Sequence, residues 1–240
     1  MQAAAPLPEL NGAAQTDAHL KETRTGGRTL LSGGFLEVRK DQVRLPDGTA
    51  ATREYIQHAG AVAIIPLLDD GRVVLVRQYR YPLGKVLLEW PAGKRDAGES
   101  TLACARRELQ EETGFVASQW AFAGEMHNAA AYSTESIWIW FARGLQAGPA
   151  RPDAGEFVET VTMSLQDLEA LDQRGELPDA KTLIGLHWWR ACREGRRPWL
   201  WQDDADAQDP AQLVGSTVRE VAAGGTTVAA APVGVTGTAL

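Results

Sequence analysis

GKRDAGESTLACARRELQEETGF, residues 93–115, decides the fold. Ser100 follows Gly98 and is placed to cap a helix, because a serine oxygen accepts one of the orphan N–H groups of a first turn. Leu102, Ala105 and Leu109 recur at i, i+3 and i+7, the stripe that docks a helix on a core. Gly114 supplies the left-handed residue that ends one. Near that end Glu108, Glu111 and Glu112 fall on one face. Like charges so placed cost an isolated helix roughly 0.2–0.5 kcal/mol per pair. Arg106 and Arg107 offset part of this, and a hard divalent cation, which prefers oxygen ligands, would offset the rest. A solvated acidic face is the plainer alternative. Pro91-Ala92-Gly93 just upstream, whose backbone carbonyls could join the carboxylates, argues for the cation.

Outward from this stretch, composition sets limits. The chain has 240 residues, 44% of them hydrophobic, enough for one large domain or two small ones. A net charge of −7 without any basic block excludes a general nucleic-acid or membrane-surface binder. It leaves room for a small anionic substrate met by local arginines and metal. Cys104 and Cys192 are far apart and in no metal-binding or redox pattern, which fits the reducing cytoplasm. Cys104 reads as a packed helix residue. No charged segment leads into an apolar run at the N-terminus, so no secretory leader is expected. No apolar stretch nears the ~20 residues that span a bilayer.

Four segments follow. Residues 1–27 are expected to be a disordered tail. Residues 28–58 read as a small antiparallel β unit: a strand from Phe35 to Leu45, a Pro46-Asp47-Gly48 turn and a return over Thr52–Gln57. It has too little apolar content to stand alone. Residues 59–196 form the main domain. Its strands are Gly60–Leu68, Arg72–Tyr81, Val86–Trp90, Trp120–Glu125, Ile137–Phe141 and Glu156–Met163. In Ile137–Phe141 the residues Ile137, Ile139 and Phe141 share one face, Trp138 and Trp140 the other, so the strand is covered on both sides. Ser164 and Asp179 open two further helices. Residues 197–240 are expected to be a low-complexity disordered tail, with at most one short helix near residues 211–221. Hairpins mixed with helices predict an α/β chain layered helix, mixed sheet, helix.

Residues 93–115 resemble the Nudix box, G-x5-E-x7-R-E-U-x-E-E-x-G-U, where U is aliphatic or aromatic. Gly93, Glu99, Arg107, Glu108, Leu109, Glu111, Glu112, Gly114 and Phe115 occupy its fixed positions. The likeness runs from Phe35 to Ala191 and is to bacterial ADP-ribose pyrophosphatases. It implies a Nudix-type α/β/α sandwich with a mixed sheet plus a small N-terminal antiparallel β unit. It implies metal-dependent hydrolysis of ADP-ribose or a related ADP-sugar to AMP and a sugar phosphate. It further implies Mg2+, with Mn2+ as a substitute, and a homodimer. Residue by residue, the resemblance makes Glu108, Glu112 and the Ala92 carbonyl metal ligands. Glu111 becomes a metal ligand or reserve base, and Glu99 a structural partner of Arg107. Glu135, in the loop ahead of the central strand, becomes the general base. Arg80, in Arg77-Gln78-Tyr79-Arg80, becomes a phosphate grip, and Arg53 and Glu54 reach towards the nucleoside. One departure stands out. Where many such enzymes have a proline beyond the box, this chain has Ala129-Ala130-Ala131-Tyr132, and dinucleoside polyphosphate hydrolases carry a tyrosine at about this place. Another NDP-sugar or a dinucleoside polyphosphate therefore stays open as substrate, as does a non-catalytic nucleotide-binding module.

Overall fold

A computed structural model describes residues 17–153, 155–197 and 199–209. Most of the expected N-terminal tail, and the expected helix near residues 211–221, lie outside the described residues. The chain divides into two units. One is the N-terminal stretch up to Gly60 together with His127–Ser136. The other is Ala61–Met126 together with the chain from Ile137 onward.

The first unit is a three-stranded antiparallel sheet in the order β1-β2-β3, with β1 at Thr23–Ser32, β2 at Glu37–Arg44 and β3 at Ala50–Gln57. β1 begins inside the stretch expected to be a tail. Its sequence, TRTGGRTLLS, is polar and holds two glycines, so nothing in its own pattern marks a strand. Pairing with β2 supplies what composition does not. Arg24 Nε donates to Asp41 Oδ2 at 2.8 Å, and Thr25 Oγ1 donates to the Gln42 carbonyl at 3.2 Å. Asp41 is buried and also accepts from Tyr55 Oη at 3.0 Å. The loop from His127 docks on β3 through Ile56 N to Tyr132 O at 2.8 Å and Thr134 N to Ile56 O at 3.0 Å.

The second unit carries β4 (Ala61–Pro66), β5 (Val73–Arg80), β6 (Lys85–Glu89), β7 (Ala92–Lys94), α1 (Thr101–Thr113) and β8 (Phe115–His127). It continues with β9 (Ser136–Ala147), β10 (Val158–Met163), α2 (Leu165–Gln173), α3 (Ala180–Arg193) and β11 (Gln202–Asp203). A five-stranded mixed sheet runs β11-β8-β9-β4-β7, with β4 parallel to β9 and antiparallel to β7. A second, antiparallel sheet runs β10-β5-β6. Strand alternation splits the core in two. Val62, Ile64, Trp120, Trp140 and Ala142 pack with Leu102, Cys104, Ala105 and Leu109 of α1. Ala63, Ile65, Ile137, Ile139 and Phe141 pack on the other face with Leu168 of α2 and Leu186 and Trp189 of α3. This is the helix, mixed sheet, helix sandwich expected from the pattern.

Three local expectations needed correcting. β8 starts at Phe115, directly after α1, and not at Trp120. Ala92–Lys94 is a strand, because its backbone pairs with Ala61–Ala63 whatever its side chains. The acidic segment after residue 197 is packed up to Asp209. Trp199 stacks on Phe141 with centroids 4.1 Å apart, and Asp204 Oδ1 accepts from Arg106 Nε at 2.6 Å and Trp120 Nε1 at 2.8 Å. Polar composition hid two tryptophans with apolar surface to bury. Among the described residues, no helix is long and apolar enough to cross a membrane.

Candidate active site

α1 forms where its signals stand. Ser100 Oγ accepts from Ala103 N at 3.1 Å, and Gly114, at φ 75°, donates its N–H to the Gln110 carbonyl. A side chain at residue 114 would meet the Gly148 carbonyl as well as that left-handed backbone. The apolar stripe fixes the helix on the sheet, and two of its other buried residues are acids. Glu108 and Glu112, one turn apart, are 8% and 5% exposed.

Arg107 sits at the centre of these carboxylates. Its Nε and Nη2 donate to the two oxygens of Glu99 at 3.0 and 2.9 Å, a bidentate pair. Nη2 also reaches the Lys94 carbonyl at 3.1 Å. Nη1 donates to Glu108 Oε1 at 2.7 Å and Glu111 Oε2 at 2.9 Å. One guanidinium thus ties the loop before the helix to two of its acids. Glu112 Oε2 instead accepts the backbone N–H of Ala92 at 3.0 Å. Gly93 completes the arrangement by lacking a side chain, since a Cβ there would sit 1.9 Å from the Glu108 carboxylate. Strand β7 and helix α1 approach this closely only over a glycine.

The electrostatics are lopsided. The Arg107 guanidinium holds Glu99 down at about 2. Burial pushes Glu108 up to about 7, against the pull of Arg107, with Glu111 and Glu156 adding to the rise. Burial pushes Glu112 up to about 8, with Glu108 and Glu156 adding to it. Burial, more than neighbouring charge, thus opposes ionisation of this pair. Cys104 lies buried beside it with its thiol pushed well up, so it packs and does not act as a nucleophile.

Glu156 had no site role in the sequence reading. The segment that carries it is stitched to the end of α1. Gly148 N donates to the Gly114 carbonyl at 2.8 Å, Arg151 N to the Glu111 carbonyl at 2.9 Å, and Thr160 Oγ1 to the Glu112 carbonyl at 3.3 Å. Its charge bears on both Glu108 and Glu112. The sequence offered one acid at the start of an expected strand, Glu156–Met163, and the strand begins only at Val158.

Arg80, at the end of β5, is committed to a carboxylate in this structure. Its Nε and Nη2 donate to Glu89 at 2.8 and 2.7 Å, and Glu89 is 1% exposed. Arg80 keeps its outer edge accessible, and the charge of Glu112 is among those that raise its pKa.

The remaining expected residues belong to the first unit. Glu135 Oε1 lies 3.8 Å from His58 Nδ1, and its Oε2 lies 3.5 Å from Asn128 Nδ2. His127 accompanies Ser136 at 3.1 Å. Arg53 and Glu54 are separated by the pleat. Glu54 pairs with Lys40 at 2.6 Å, while Arg53 stands cross-strand from Asp41 and pairs with Glu22. A cavity of about 310 Å³ opens among Asp41, Val43, Arg53, Tyr55, Tyr132 and Ser133.

Among the described residues, no three acidic, histidine or cysteine side chains close a metal cage by themselves. Glu111 is drawn to Arg107 and Glu112 to the Ala92 N–H. The donors still suit a hard divalent cation. They are carboxylate oxygens, cradled over Gly93 and raised in pKa chiefly by burial and further by neighbouring acids, and such ions complete their shell with water and substrate oxygens.

Comparison with known proteins places the chain. The NUDIX domain family matches residues 57–184, and the nucleoside diphosphate sugar hydrolase N-terminal domain matches residues 22–56. The chain belongs to the Nudix hydrolases and is a Nudix pyrophosphohydrolase, preceded by a sheet of the kind found in nucleoside diphosphate sugar hydrolases. It is 32% identical over 171 residues to an ADP-ribose pyrophosphatase of Bacillus subtilis, covering 70% of this chain and 92% of that one. It is 38% identical over 162 residues to an ADP-ribose pyrophosphatase of Mycobacterium tuberculosis, covering 66% and 78%. A crystal structure of an ADP compounds hydrolase superposes with a TM-score of 0.66 at 25% identity, covering 74% of this chain and 97% of that one.

Proposed function

We propose that the protein hydrolyses the pyrophosphate bond of ADP-ribose or a related ADP-sugar, releasing AMP and a sugar phosphate, in the presence of Mg2+ or Mn2+. The observation that carries this reading is the pair of buried carboxylates, Glu108 and Glu112, raised in pKa beside Ala92 and Gly93. A binding module would have no use for so costly a pair. Glu108, Glu112 and the Ala92 carbonyl hold the cation, with Glu111 beside them. A cation held there would supply charge neutralisation for the phosphates and a lowered water pKa. Arg80 binds a phosphate oxygen with its outer N–H groups. Arg107 keeps Glu99, Glu108 and Glu111 in register.

A base must accept the proton of the attacking water. Glu156 is favoured because its segment is bonded to the end of α1 through Gly148, Arg151 and Thr160 and its charge bears on Glu108 and Glu112. Glu135, expected from the resemblance, is the second reading, and Glu111 the third. Arg53 and Glu54 are assigned to the nucleoside end by the resemblance. Exposed Leu30 and Leu31 on β1, with Phe35 and Leu36 in the turn after it, support a homodimer, and the free thiols of Cys104 and Cys192 support a cytoplasmic setting. The test is product analysis of purified protein with ADP-ribose, ADP-glucose, GDP-mannose and diadenosine polyphosphates, with Mg2+ and with Mn2+. Fastest turnover of an ADP-sugar supports the reading. Fastest turnover of a dinucleoside polyphosphate or GDP-mannose moves the substrate, not the chemistry.

A further inference from the structure

Behind Arg80 lies a buried chain of charges. Glu89 closes β6 with its side chain almost wholly buried, and it accepts from Arg80 through both oxygens. Its Oε2 also accepts from Lys181 Nζ. Lys181 is itself 11% exposed and donates a second bond to Asp179 Oδ1 at 2.9 Å. The other oxygen of Asp179 caps α3, accepting from Thr182 N at 2.9 Å and Thr182 Oγ1 at 2.6 Å. Trp90, next to Glu89, is tied to the same turn through its Nε1, which donates to the Thr182 carbonyl at 3.1 Å. Of Arg80, Glu89 and Lys181, only Arg80 reaches solvent appreciably.

We propose that Lys181 is a positioning residue that acts through Glu89 to hold Arg80 in its phosphate-binding pose. Lys181 bonds to the same Glu89 oxygen that Arg80 Nη2 uses and also to Asp179, so it fixes that carboxylate against the start of α3. The four side chains carry two positive and two negative charges, so what Lys181 adds at Arg80 is orientation and not net charge. Lys181 and Glu89 are also rigid, being packed between β6 and the first turn of α3. The guanidinium is therefore oriented before the substrate arrives, and little side-chain entropy is lost on binding. The inference rests on the assignment of Arg80 as the phosphate grip.

The experiment is steady-state kinetics with ADP-ribose and Mg2+ for Lys181→Met, Lys181→Gln, Lys181→Arg, Arg80→Ala and the double variant Arg80→Ala/Lys181→Met. Thermal melting of each shows that it is folded. Lys181→Met and Lys181→Gln are expected to raise KM about tenfold, with kcat within about twofold, as for a lost uniform-binding interaction. Lys181→Arg is expected to restore KM to within about threefold of the parent. In the Arg80→Ala background, Lys181→Met should add nothing further, because the two act in series. An unchanged KM in both Lys181→Met and Lys181→Gln would overturn the proposal, as would a full additional KM increase in the double variant. If Lys181→Met does not fold, Lys181→Gln, which keeps a hydrogen-bond donor, decides the matter in its place. Arg80→Ala reads the underlying assignment separately. A normal KM there removes the phosphate grip, and with it the role of Lys181.

Discussion

The backbone N–H of Ala92 donates to Glu112 Oε2 at 3.0 Å, joining strand β7 to the last turn of helix α1. The bond places the proposed carbonyl ligand and the proposed carboxylate ligand on neighbouring positions. It also leaves Glu112 as a buried group whose proton is hard to remove without a cation.

Glu112→Gln keeps the shape and removes the charge. Turnover of ADP-ribose should fall by roughly 100- to 1000-fold or more, the scale of losing a transition-state electrostatic contact. The melting temperature in chelator should hold or rise, because the amide does not have to be buried as an anion. Product release assays and a melt read these two outcomes, and near-parental activity would remove Glu112 from the metal site.

Gly93→Ala tests the cradle. The added Cβ would overlap the Glu108 carboxylate, and either the helix or the carboxylate must give way. Overpacking of this kind costs about 1–3 kcal/mol of stability. Metal affinity should fall as well, measured by the Mg2+ concentration at half-maximal rate. A parental value would mean that Glu108 is free to turn elsewhere.

Stability should depend on pH in a direction that metal reverses. Glu108 and Glu112 have folded values of about 7 and about 8, above the 4.5 of an unperturbed glutamate. Between those limits the folded chain holds more protons than the unfolded one, so stability falls as pH rises through that window. Glu99, held at about 2, works the opposite way, and its contribution is lost only below the ordinary glutamate range. In chelator the melting temperature should therefore drop from about pH 5 to about pH 8. Mg2+ should restore it, and more strongly at the upper end, since metal competes with protons for carboxylates. A flat profile in chelator would contradict the buried pair.

Glu156→Gln and Glu135→Gln separate the two bases. The residue that accepts the proton should lose roughly 100- to 10,000-fold in kcat with little change in KM. The other variant should stay near the parent. The large loss is expected at Glu156, and a large loss at Glu135 instead would move the base to the loop ahead of β9.

Legibility in the sequence followed locality. Helix α1 was readable because its cap, stripe and terminator are all contained within Ser100–Gly114. The covered strand β9 was readable from Ile137 and Trp138 onward for the same reason. β1 was not, because its order comes from Asp41 and the backbone of β2, and TRTGGRTLLS by itself looks like a tail. The packed segment around Trp199 and Asp204 was lost in an acidic composition. Within the site, residues fixed by a motif could be named in advance. Glu156 depends on a loop tied to α1 by backbone bonds from Gly148 and Arg151, which no residue type reveals. Arg80 was found as a cation, but its buried support by Glu89 and Lys181 joins parts of the chain far apart in sequence.

The most direct test is AMP release from ADP-ribose by the purified protein, followed with Mg2+ and again with excess chelator. AMP and a sugar phosphate are predicted in equal amounts with Mg2+, with arrest on chelation. ADP-ribose bound but left intact in the presence of Mg2+, or cleaved equally well in chelator, would contradict a metal-dependent pyrophosphatase.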